Sequence, residues 1–161
     1  MTLCCASVPA TFVHGGLYAE LSAPAGSFVE RQVLGQTMHV GLYHDILLTL
    51  ADRVANQMAK PEEPVVFLPH WPGLYAFTNR ISPLKQIYFI RPASPPEEEA
   101  ELVALQNKDV RWVLLQDYRL DGRDELRFRN TNPLVFRYFT ENFERVAMAG
   151  VLRDTVVLRR K

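Results

Sequence analysis

Groups that carry redox or metal chemistry are scarce in this chain. Only two of its 161 residues are cysteines, Cys4 and Cys5, and they are adjacent. Neighbouring cysteines seldom pair with each other, and no second pair completes a zinc site, so they do not report a redox compartment. The four histidines, His14, His39, His44 and His70, lack the HExxH spacing that sets two imidazoles on one helical face. No metal and no cofactor is expected. The signatures of a nucleophile elbow (GxSxG), a Walker A loop and a dinucleotide-binding turn (GxGxxG) are missing too. Charge of one sign is also missing: 18 basic residues balance 18 acidic ones. Without a net field there is no general attraction to nucleic acid or to an anionic membrane, and a nucleic-acid partner is not expected. Internal repeats and low-complexity stretches are absent.

The N-terminus has its own gap, since Met1 to Ala19 contains no Asp, Glu, Lys or Arg. Its apolar part is shorter than the roughly 20 residues a helix needs to span a bilayer. A secretory signal would have a basic start, and Pro9 interrupts the apolar stretch. Two readings stay open: residues 1–21 are a plain apolar run, or they are the stump of a membrane helix whose earlier part lies outside this chain.

What is present describes a globular α/β protein. Hydrophobic residues make up 48% of the chain and charged ones 22%, enough for one core and too few charges for wholesale disorder. The expected arrangement is a single domain over 22–161. It has a small mixed central sheet, helices packed on the faces of that sheet, and an antiparallel edge hairpin. A loop with one short strand is expected around Phe28, Val29 and Val33. Tyr43, Ile46, Leu47, Leu50, Val54 and Met58 recur three or four apart and predict an amphipathic helix. Val65-Val66-Phe67-Leu68 is a short apolar strand bounded by prolines, and Leu74 to Arg80 a short helix. Gln86 to Ile90 is expected to form a second strand.

Pro95-Pro96 before Glu97-Glu98-Glu99 marks a helix start, with carboxylates at the positive end of the dipole, and Leu102, Val103 and Leu105 are expected to be its apolar side. Val110 to Leu115 is nearly all apolar, as a central strand covered on both faces should be. Asn132 is placed to cap, and Pro133 to begin, a helix carrying Val135, Tyr138, Phe139, Phe143 and Val146. A hairpin is expected from about Arg145 through Gly150 and back along Thr155 to Arg159.

Candidate site residues come from strand ends, where open α/β sheets bind ligands. The loop Asp117-Tyr118-Arg119-Leu120-Asp121-Gly122-Arg123-Asp124-Glu125 follows the central strand with four carboxylates and two guanidinium groups. Its spacing fits no calcium loop, and its alternating signs suit internal ion pairs. Asp117, Arg119 and Asp121 are taken from it as candidate ligand-binding residues, together with His70 and Arg80 from the first strand unit. No residue is assigned a catalytic role. The aromatics, Trp71 and Trp112 among them, have the spacing of core residues rather than of a sugar-binding groove.

Read in order, Val65 to Pro69, then Pro72-Gly73-Leu74-Tyr75-Ala76-Phe77-Thr78-Asn79-Arg80 and Ser82-Pro83, resemble a known pattern. It belongs to the soluble C-terminal part of membrane-embedded type-C glycosyltransferases of the protein mannosyltransferase and aminoarabinose transferase kind. Asp109 to Leu115, Phe128, Asn132-Pro133, Tyr138 to Phe143 and Leu158-Arg159-Arg160 continue it, and Pro24-Ala25-Gly26 matches the element that follows the last membrane helix. The resemblance covers about Ser22 to Arg160, and its motifs are turns and strands.

It implies a non-catalytic accessory domain, periplasmic in a Gram-negative cell, on the extracytoplasmic face of a membrane. The implied partners are the membrane-embedded transferase body and a lipid-linked sugar or acceptor. Catalysis in that family, which uses a polyprenyl-phosphate sugar, resides in the membrane body, so none of its catalytic positions falls on a residue here. The alternative is a self-contained sugar- or nucleotide-sugar-binding α/β protein or enzyme that uses the strand-end loops.

Overall fold

The apolar run before Gln116 becomes the centre of a sheet. In a computed structural model that describes residues 26–33 and 35–161, Trp112–Gln116 (β4) pairs in parallel with Val65–Leu68 (β3) and antiparallel with Thr155–Arg160 (β6). Phe143–Val146 (β5) pairs antiparallel with β6, so the strand order is β3-β4-β6-β5. This is a mixed sheet with an antiparallel hairpin along one edge, as expected, and β5 is its outermost strand. The N-terminal run and Cys4-Cys5 lie outside the described residues.

Two compact units divide the chain, one up to Asp45 and one from Ile46. The first contains an antiparallel hairpin of Phe28–Val33 (β1) and Gln36–Gly41 (β2), where a loop with one short strand was expected. Gly35 has φ 80°, the left-handed backbone that a tight hairpin turn needs and that glycine adopts without steric cost. Within this unit Arg31 pairs with Asp45 at 2.5 Å.

In the second unit both faces of the sheet are covered, and strand parity decides which side chain goes where. Phe67, Leu114 and Val157 line one face, against Leu47, Leu50 and Val54 of the helix Leu42–Asp52 (α1), which widens to a π-type turn over Arg53–Met58. Val66, Val113 and Leu158 line the other. Against them pack Leu105 of Pro95–Asn107 (α3), Phe128 of Phe128–Thr131 (α4), and Val135 and Phe139 of Pro133–Asn142 (α5). No helix among the described residues is long and apolar enough to cross a membrane.

The residues behind the glycosyltransferase resemblance have structural work. Gly73–Phe77 (α2) carries Tyr75, whose hydroxyl accepts the Phe67 N–H at 3.0 Å. That N–H lies on the side of β3 that has no strand neighbour. Gln86 to Ile90 therefore does not form the expected strand. Its Phe89 N–H reaches the Pro69 carbonyl at 2.9 Å, while the Tyr75 hydroxyl occupies the donor that a ladder would need next. Phe89 is buried, and Ile87, Tyr88 and Ile90 stay exposed.

Three expectations on the helices need correcting. The inner stripe of α3 is Glu98, Glu101 and Leu105, whereas Val103 is 55% exposed. The inward glutamates meet backbone donors, although the second oxygen of Glu101 is buried without a partner among the described residues. Glu98 accepts the Leu134 and Val135 N–H groups at 2.7 and 3.1 Å, and Glu101 accepts the Gln86 N–H at 3.0 Å. Glu98 thus satisfies the start of α5 from another helix. Asn132 makes no capping bond from its side chain, which donates to the Thr131 hydroxyl instead. Finally, α5 ends at Asn142, and Phe143 and Val146 belong to β5. The start of α3 is as expected. Ser94 and Glu97 form a capping box, and the bonds Glu97 receives from Arg91 first, and then from Ser94, hold its carboxyl at a pKa of about 2.

Candidate functional site

Because β3 and β4 run parallel, their following loops meet at one end of the sheet. His70, after the cis Leu68–Pro69 peptide, stands edge-on to Tyr118 at 5.7 Å between ring centroids and to Tyr88 at 5.4 Å. Trp71 Nε1 donates to the Gln116 side-chain carbonyl at 3.0 Å and ties the two loops together. Burial lowers the His70 pKa from its ordinary 6.5, and its buried Nδ1 has no hydrogen-bond partner. Burial thus favours the neutral imidazole, and no hydrogen bond among the described residues orients its Nδ1.

Asp117 is the most buried of the candidates, 7% exposed. Its carboxylate accepts the Arg129 backbone N–H at 3.0 Å and the Arg129 Nε–H, and Arg127 Nη1 lies 4.0 Å from it while donating to the Asp117 carbonyl. The Asp117 N–H donates to the Asp154 carbonyl at 2.7 Å. A buried carboxylate is stable when paired and hydrogen-bonded in this way, and with its oxygens so occupied it is no free acid or base.

The outer loop is internally paired. Asp121 and Gly122 have φ 52° and 73°, and the Arg123 N–H returns to the Leu120 carbonyl at 3.0 Å, a turn with both central residues left-handed. Arg119 pairs with Asp124 at 3.1 Å, Arg123 with Glu125 at 2.9 Å, and Arg127 with Asp124 at 2.8 Å. The bond from Arg127, before that from Arg119, holds the Asp124 carboxyl below its ordinary range. These alternating charges serve the loop's own shape.

Arg80 stands apart from the other candidates. Its guanidinium donates to the carbonyls of Lys60 (2.9 Å), Pro61 (2.5 Å), Glu63 (3.1 Å) and Ala55. Three of those carbonyls belong to the chain entering β3 and that of Ala55 to the π-type turn before it, so Arg80 works at the strand's amino end, and the cavity it lines shares no residue with the one beside Asp117. The structure thus places His70 close to the Asp117-Tyr118 segment, leaves Arg119 and Asp121 on the exposed loop, and puts Arg80 elsewhere.

Beside Asp117 lies a cavity of about 400 Å³ on the α5 face of the sheet, lined among others by Arg129, Phe136, Thr140, Phe143, Arg145 and Asp154. Sequence reasoning missed Arg127, Arg129, Arg145 and Asp154. The one usable signal was that an aspartate closing an apolar strand must find cationic partners, and Arg127 and Arg129 stand just before the Asn-Pro helix start. Among the described residues no three His, Cys, Asp or Glu side chains converge as a metal site.

No protein-family model matches the chain, and no curated protein matches it. Among solved structures, the chain is similar to the C-terminal globular domain of an oligosaccharyltransferase from Archaeoglobus fulgidus. The similarity covers 77% of this chain and 100% of that one, at 11% sequence identity and a TM-score of 0.41. A likeness of this degree defines neither fold nor function.

Proposed function

We propose that the chain is a non-catalytic accessory domain of a polyprenyl-phosphate-sugar-dependent glycosyltransferase, held on the extracytoplasmic face of a membrane, where it helps to place acceptor or partner. The observation that carries this reading is the work done by the matching residues. The Pro72-to-Arg80 motif closes the edge of β3 through Tyr75 and ties down the entry to that strand through Arg80. What resembles the transferase domains is therefore a folding framework, while the strand-end carboxylate Asp117 is fully engaged by arginines. A framework with engaged charges suits placement better than bond-making.

The test is a pull-down, from detergent extracts of the source cells, of a membrane-embedded sugar transferase with the tagged chain, together with sequencing of the full transcript. Recovery of such a transferase, or membrane-spanning segments in frame upstream, is expected. Neither result would sink the proposal by being weak, but the absence of both would.

The cavity beside Asp117 favours a second reading, a self-contained binder of sugars or nucleotide sugars. Thermal-shift measurements with sugar nucleotides and divalent ions separate the two. A binder at a hundredfold excess over its dissociation constant gains about 2.7 kcal/mol, and a flat response removes this reading.

A further inference from the structure

The charges around the Asp117 cavity are not equally engaged, and the imbalance points to a ligand. Arg129 uses its Nε–H on Asp117, and its guanidinium lies over the Phe136 ring, 5.8 Å from the centroid. Both contacts fix the plane of the group. Its side chain remains half exposed, which leaves the terminal Nη groups open to solvent and ligand. Arg145 makes no hydrogen bond or ion pair among the described residues, yet it lines the same cavity.

Arg145 is exposed on the outer strand β5, at the open side of the cavity. The register places it in the cross-strand row Val66, Val113, Leu158, Arg145, on the face that Phe139 and Phe143 cover. The matching row on the opposite face, Phe67, Leu114, Val157, Val146, is wholly apolar. The carboxylates on the cavity wall do not supply the missing counter-charge. Asp117 is held by Arg129 and Arg127, and Asp154 faces Arg127 at 3.9 Å.

We infer that this cavity binds a small molecule bearing an oxyanion, phosphate or carboxylate, which Arg129 and Arg145 clamp while its compact apolar body rests against Phe136 and Phe143. Guanidinium groups match such oxyanions through paired N–H donors, and one already oriented by Asp117 loses little freedom on binding. The volume of about 400 Å³ falls within the usual range for small-molecule sites. The inference goes beyond the accessory role and does not rest on it, since an oxyanion site stands whatever the chain's larger partner.

The experiment is an NMR titration of the full chain with phenyl phosphate, benzoate, inorganic phosphate and, as the uncharged control, phenol. Phenyl phosphate and benzoate are expected to give saturable shifts of the Arg129 and Arg145 Nε–H signals and of the Phe136 and Thr140 amides, with phenol much weaker. Whichever of the two arms binds tighter assigns the oxyanion as phosphate or carboxylate. Arg145→Gln, an exposed change, should weaken the anionic probes by about tenfold or more and leave phenol unchanged.

Two results would overturn the site. One is the absence of saturable shifts up to about 20 mM probe, which would leave Arg145 as a solvated charge that merely blunts an outer strand. The other is an Arg145→Gln affinity indistinguishable from that of the unmodified chain. Neither result bears on the recovery of a transferase partner.

Discussion

The two ends of the β3–β4 pair treat charge differently. At the amino end one cation, Arg80, gathers four backbone carbonyls and presents nothing to a ligand. At the carboxyl end Asp117 is held by arginines, and the arrangement leaves guanidinium capacity over in Arg129 and Arg145. Sequence shows charged residues at both ends. What separates a scaffold from a candidate site is the donor or acceptor capacity that remains after folding.

The sharpest way to break this comparison is at Arg80. Arg80→Ala orphans several carbonyls at once and should cost about 3 kcal/mol or more in urea unfolding, with Arg80→Lys recovering only part. A loss below about 1 kcal/mol would mean that water replaces the guanidinium and the amino end is no scaffold. Glu98 tests the same logic between helices. Glu98→Ala removes the acceptor for the Leu134 and Val135 N–H groups and is expected to cost about 2 kcal/mol, with Glu98→Gln milder because one amide oxygen can still accept.

Asp117→Asn comes next, at about 1–2 kcal/mol, because it keeps an acceptor but leaves Arg129 without its counter-charge, while Arg127 retains Asp124 and Asp154. Arg145→Gln, by contrast, should stay within about 0.5 kcal/mol, since no hydrogen bond or ion pair among the described residues engages Arg145. Equal costs at Asp117 and Arg145 would erase the distinction between engaged and unengaged charge.

The smallest expected effect is a pH dependence at His70. Burial places its folded pKa below 6.5, so between the two values the unfolded chain holds a proton that the folded chain does not. Stability should therefore fall as pH drops below 6.5, level off below the folded pKa, and lose this slope in His70→Phe. An imidazole titrating by NMR at 6.5 would remove the slope, and one titrating above it would reverse its sign.

How much of this was legible depended on whether a residue's partners are near in sequence. The apolar run of β4 announced a strand covered on both faces, and Pro95-Pro96 before the Glu97–Glu99 run announced the start of α3, because strand covering and helix starts act over a few residues. Glu98 read only as a carboxylate at the helix start, and Glu101 carried no signal of its own. Their partners are backbone groups at Leu134, Val135 and Gln86, which only the fold brings near. Gln86 to Ile90 had strand composition, yet a tyrosine hydroxyl had already taken the edge. At the site, His70 and Asp117 were legible as strand-end residues. Arg129 and Arg145 were not, because their meaning depends on which charges other residues leave over.

The Tyr75 hydroxyl on the Phe67 N–H has a consequence for association between molecules. An outer strand with free N–H and C=O groups is a template on which another chain can polymerise. On the β3 side a phenol plugs that template. On the β5 side, Glu144 paired to Arg159 at 3.1 Å and the cation of Arg145 make a charged selvedge. The four-stranded sheet is thus finished at both margins, one stoppered and one fenced, and strand addition is opposed on each side.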